Sequence, residues 1–107
     1  MKNLFDISKL DLREEFFETL ASGEHVRVER IVSSFHRSPE GFWYDQDEAE
    51  LVFLLQGEAE LEFKDGGDIK LMRAGDFILI GAHVLHRVRR TSKNCVWLAV
   101  FADFKEV

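Results

Sequence analysis

A chain of 107 residues, 46% hydrophobic and 32% charged, has the balance of a folded protein and room for one hydrophobic core, not two. Its formal net charge of −6 argues against a broad phosphate-binding surface and so against nucleic acid as a partner. Cys95 stands alone, which rules out an internal disulfide; the longest apolar run, residues 96–102, is too short to cross a bilayer as a helix; and charges near the start interrupt any signal-peptide core, so no membrane association and a cytoplasmic location are expected.

Asp11 stands where a helix cap would, with Glu14 at the capping-box spacing. Leu12, Phe16, Phe17 and Leu20 fall on one helical face, and Gly23 can stop the helix. The spacing predicts a short α-helix in an N-terminal arm, residues 1–25, packed on a body formed by residues 26–107. From there the pattern alternates. Val26 to Val32 is rich in β-branched residues, and residues 50–63 hold two apolar runs broken near Gln56-Gly57. Ala59, Leu61 and Phe63 alternate with Glu58, Glu60 and Glu62, which puts the carboxylates on the wet face. Asp65-Gly66-Gly67-Asp68 is a hairpin turn, Ile69 and Leu71 open another strand, and Ala74-Gly75-Asp76 turns the chain again.

Phe77 to Ile80 is apolar on both faces and predicts a strand buried in a two-layered body. Gly81-Ala82-His83 ends it, and strands follow at His86 to Arg90 and Val96 to Phe101. Turn signals recur at the spacing of an all-β sandwich or barrel. Cys95 falls in an apolar segment and reads as a buried, inert thiol. Arg87, Arg89, Arg90 and Lys93 read either as a solvated strand face or as an anion site.

Strand parity sets the candidate site. Arg87 and Arg89 take one face, so His86 shares the other with Val88 and points inward. An inward imidazole is either a satisfied core histidine or a ligand or acid-base group on a cavity. Glu50 has the parity of Val52 and Leu54, so one face of that strand begins with a carboxylate that must be paired, protonated or bound to a cation. Tyr44 and Gln46 share this parity if the strand extends backwards, and Trp43 and Asp45 take the other face. Asp45, Asp47 and Glu48 also read as a solvated acidic loop. His83 is a turn residue, either exposed or completing a site at a pocket mouth.

The order Gly41, Glu50, Gly57, then Gly75-Asp76, Ile80 and His86 resembles the two motifs of the cupin superfamily over roughly residues 26–101. The phrases Gly41-Phe42-Trp43-Tyr44-Asp45-Gln46 and Ala82-His83-Val84-Leu85-His86-Arg87-Val88 look like those of small single-domain bacterial cupins. The resemblance implies an all-β, RmlC-like jelly-roll barrel (a double-stranded β-helix) with a pocket at one end. It also implies a divalent metal, Fe, Mn, Ni or Zn, held by the positions that match the family's ligands, here Gln46, Glu50 and His86. The departures are specific. The first motif's two histidines fall at Tyr44 and Gln46, or at Trp43 and Asp45, and the second motif's usual proline, glycine and asparagine fall at Gly81, His83 and Arg90.

Three functions remain open on these residues. A small-molecule-binding module would line its pocket with Phe42, Trp43 and Tyr44 and orient a ligand with Gln46, Glu50 and His86. A metal-dependent enzyme of oxygenase, isomerase or lyase type would use Glu50 and His86 as ligands or as an acid-base pair on a small oxygenated metabolite. A non-catalytic scaffold would keep the two as an internal pair. The family resemblance and the exposed strand edges imply a homodimer in each case.

Overall fold

The computed structural model describes residues 1–105 as two antiparallel sheets built from eight strands, β1 (Phe16–Ser22), β2 (Val26–Ser33), β3 (Ala49–Gln56), β4 (Glu58–Phe63), β5 (Ile69–Arg73), β6 (Phe77–Ile80), β7 (His86–Thr91) and β8 (Cys95–Ala102). One sheet has five strands in the order β1-β2-β8-β3-β6, and the other has three in the order β5-β4-β7. The architecture is the all-β jelly roll. No helix occurs among the described residues, so none is long and apolar enough to cross a membrane.

The expected N-terminal helix is corrected to a strand. Phe16 and Phe17 pair with Val32 and Ile31, and Leu20 is left over where the register shifts between Thr19 and Ala21. Asp11 does behave as a local hydrogen-bond acceptor, but in a turn: its carboxylate takes the Arg13 backbone N–H at 3.1 Å and the Arg13 guanidinium at 2.6 Å. The free edge of β2 offers a complete ladder to a segment whose aromatic and β-branched residues suit a strand, and this outweighs a weak helical pattern.

The core lies between the sheets. Val52, Leu54, Ala59, Leu61, Met72, Ile80, Cys95, Trp97, Ala99 and Phe101 form one buried cluster. Gly57 carries the chain from one sheet to the other with φ of +92°, and a Cβ there would stand 2.6 Å from Cys95 Sγ. Only glycine suits this crossing. The Cys95 thiol is buried and donates to the Glu58 carbonyl at 3.3 Å.

β6 departs from expectation on one face. Ile80 is buried, whereas Phe77 is 64% exposed, so the outer side of the five-stranded sheet is uncovered here. The arginine stripe is taken up by the neighbouring strand. Arg87 binds Glu62, and a register shift in the β4–β7 pairing lets both Arg89 and Arg90 reach Glu60.

Candidate functional site

Glu50 and His86 come from different sheets and meet at one end of the barrel. On β3 the inward series is Glu50, Val52, Leu54, and on β7 it is His86 followed by Val88. His86 and Glu50 are 5% and 8% exposed, and His86 Nε2 lies 3.5 Å from Glu50 Oε1. His86 Nδ1 lies 2.8 Å from the Val84 carbonyl oxygen. A carbonyl can only accept, so Nδ1 carries the proton, and in the neutral ring Nε2 presents its lone pair to Glu50. Glu50 accepts no hydrogen bond from any described residue. No polar side-chain atom among the described residues is buried without a partner, so the free faces of this pair open onto a cavity.

That cavity has a volume of about 150 Å³. Its apolar wall is made by Phe17, Ile31, Leu61, Trp97 and Phe101 among others, and its polar groups are Glu15, Arg27, Glu29, Tyr44, Gln46, Glu50 and His86. Tyr44 is held against His86 by a short antiparallel bridge, with its N–H donating to the His86 carbonyl at 2.7 Å. The two rings stack at 5.4 Å, and Phe42 meets Tyr44 edge-on at 4.8 Å. Burial first, then the charges of Glu15 and Glu50, push the Tyr44 phenol above its ordinary pKa, so it is a neutral hydroxyl able to donate.

Trp43 does not line the cavity. It faces the other way, as its parity requires, with the Arg87 guanidinium 4.4 Å and the Lys64 amine 5.9 Å from its ring centre. His83 lies in the turn after β6 with φ of +61°, exposed, its Nδ1 2.7 Å from Asp45 Oδ1. That hydrogen bond raises its pKa above the ordinary value. The His83 backbone N–H also donates to the Gln46 carbonyl at 2.8 Å, so the loop carrying Tyr44 and Gln46 is tied to the turn before β7 at several points.

Four wall residues escape the sequence pattern: Glu15 and Phe17 from the N-terminal segment, and Arg27 and Glu29 from β2. Arg27 Nε donates to Glu29 at 2.7 Å, and its guanidinium lies 4.2 Å from the centre of the Phe101 ring. Glu15 accepts from the Ser33 hydroxyl, which in turn accepts from the Trp97 indole at 3.2 Å. Arg27, Glu29 and Ile31 share one face of β2, but Val26 and Val28 mark the opposite face as the apolar one, so alternation does not signal this wall.

The expected metal does not fit the donors well. Glu50 and His86 are the strong ones, Gln46 adds a weak amide oxygen, and Tyr44 is a neutral phenol. No group of three or more His, Cys, Asp or Glu able to hold a metal ion occurs among the described residues. A firmly held ion uses three or more such ligands.

Two antiparallel sheets closed over a pocket whose polar groups gather at one mouth define a jelly-roll pocket protein. The model of the cupin domain matches residues 36–101, and the chain belongs to that family. A crystal structure from Ralstonia eutropha JMP134, provisionally named a mannose-6-phosphate isomerase, is 36% identical with a TM-score of 0.90, covering 97% of this chain and 98% of that one. An RmlC-like cupin from Shewanella frigidimarina NCIMB 400 is 17% identical, with a TM-score of 0.70 over 86% of this chain and 78% of its own. A cupin superfamily protein from Desulfitobacterium hafniense DCB-2 is 16% identical, with a TM-score of 0.79 over 94% and 88%. The last two show the fold alone. No curated protein matches the sequence.

Proposed function

We propose that this cupin domain binds a small molecule in the cavity between its sheets and does so without a resident metal. One observation carries the reading: a buried imidazole held by the Val84 carbonyl and a buried carboxylate that accepts no hydrogen bond from any described residue lie in contact, 3.5 Å apart, on the cavity wall. A ligand that brings a hydrogen-bond donor or a positive charge to this pair satisfies it, and the largely apolar wall supplies the remaining affinity. Gln46 and the neutral Tyr44 hydroxyl add orienting contacts at the same mouth.

A thermal-shift screen of metabolites against wild type, Glu50→Ala and His86→Ala, in chelator, tests this. Hits lost in both variants support the reading. Hits indifferent to both variants, or binding seen only after a divalent metal is added, contradict it.

An enzymatic reading draws on the stacked pair of Tyr44 and His86, which places a proton donor beside a proton acceptor. Turnover of a bound hit, abolished by Tyr44→Phe while binding persists, would establish it. Pairing of two copies through the outer side of the five-stranded sheet, where Phe77 and Val26 are exposed, belongs to the same proposal. Sedimentation at micromolar concentration, with Phe77→Glu as the comparison, tests that part.

A further inference from the structure

The charges on the cavity wall do not balance. Glu15, Glu29 and Glu50 face a single guanidinium, that of Arg27. Arg27 is already committed, with Nε on Glu29 at 2.7 Å and a terminal nitrogen 3.5 Å from Glu48. Among the described lining residues, an incoming phosphate or carboxylate therefore finds no arginine or lysine free of a carboxylate, and it meets two carboxylates that Arg27 does not neutralise. One of these, Glu15, is held in the wall by the Ser33 hydroxyl and, behind it, the Trp97 indole. The other, Glu50, is nine-tenths buried and has no hydrogen-bond donor among the described residues.

The apolar part of the wall adds a second, independent feature. Phe17, Tyr44 and Trp97 present aromatic side chains to the cavity, and a fourth, Phe101, already carries a cation on its face in the form of Arg27 at 4.2 Å. Aromatic faces attract positive charge, most strongly where water is excluded. A cation also relieves the cost of burying Glu50. The donor set is too poor for a metal ion, whereas an organic cation needs charge and aromatic surface instead of directed ligands.

We propose that the cavity selects a small organic cation of the alkylammonium class over neutral or anionic molecules of the same shape. The inference rests on the small-molecule reading above and names its substrate class. A relative's provisional name refers to a phosphorylated sugar, and the wall described here opposes such a ligand.

The experiment is a calorimetric titration of the chelator-treated full chain with choline, its uncharged isostere 3,3-dimethylbutan-1-ol, and acetate. Choline is expected to bind at least about tenfold more tightly than the isostere, a difference of about 1.4 kcal/mol, with no binding of acetate. Glu50→Gln and Glu15→Gln, each checked for fold by circular dichroism, are expected to bring choline to within about threefold of the isostere. Equal binding of choline and isostere, or tighter binding of acetate, overturns the cation preference and leaves the pocket reading standing. Stoichiometric Mn or Zn binding that choline does not displace also overturns it. No binding of any of the three, together with an empty metabolite screen, removes both readings.

Discussion

The two ends of the barrel are built from the same strands and differ in what those strands leave unfinished. At the closed end Leu54, Ala59 and Cys95 are fully buried, and the crossing at Gly57 packs so tightly on Cys95 that no side chain fits. At the open end the inward positions of β3 and β7 are Glu50 and His86, in contact at 3.5 Å with their remaining faces on the cavity. The closed end spends its contacts on stability. The open end holds a buried carboxylate that takes no hydrogen bond from the described residues, a cost that an entering donor or cation would relieve.

Substitutions sharpen the contrast, beginning with the closed end. Leu54→Ala is expected to cost about 2–5 kcal/mol in urea unfolding, since the side chain is fully buried among packed neighbours. Any ligand's affinity for the folded fraction should hardly change. His86→Ala is expected to do the reverse, weakening ligand binding by about tenfold or more while shifting stability by only about 1 kcal/mol. If it proves as destabilising as Leu54→Ala, the open end is a structural pair.

A smaller effect concerns the loop that carries Tyr44 and Gln46. The hydrogen bond to Asp45 raises the pKa of His83 in the folded state above its ordinary value of 6.5. Its contribution is then fully present below pH 6.5 and is lost as pH rises through the folded value. A melting temperature that falls slightly over that interval in wild type and stays level in His83→Gln is the expected outcome. The smallest change should follow Glu60→Ala, which removes partners of Arg89 and Arg90 on the outer face. It is expected to cost under about 1 kcal/mol and to leave binding untouched.

The strands from β2 onward were legible because turn residues and alternation agree along that stretch, as at Ala59, Leu61 and Phe63. The N-terminal segment was not, since Leu12, Phe16, Phe17 and Leu20 satisfy a helical spacing, and only the edge of β2 decides otherwise. Glu50, Tyr44, Gln46 and His86 could be assigned to one face by parity, and the structure brings all four to the cavity. Trp43 takes the opposite face, where the sequence parity also put it, although its aromatic character suggested the pocket. Arg27 and Glu29 could not be recognised for a different reason. β2 turns its charged series inward and Val26 and Val28 outward, so the usual rule that the apolar face marks the interior points the wrong way on this strand.

The central claim is that His86 Nε2 and Glu50 await a ligand and not a metal. Nitrogen-15 NMR of the His86 ring, in chelator-treated protein titrated with a hit from the screen, tests it most directly. The account predicts a protonated Nδ1 that holds its shift and an Nε2 resonance that moves with ligand occupancy. An Nε2 that stays fixed at saturation, or that responds only after Mn, Fe, Ni or Zn is restored, would contradict it.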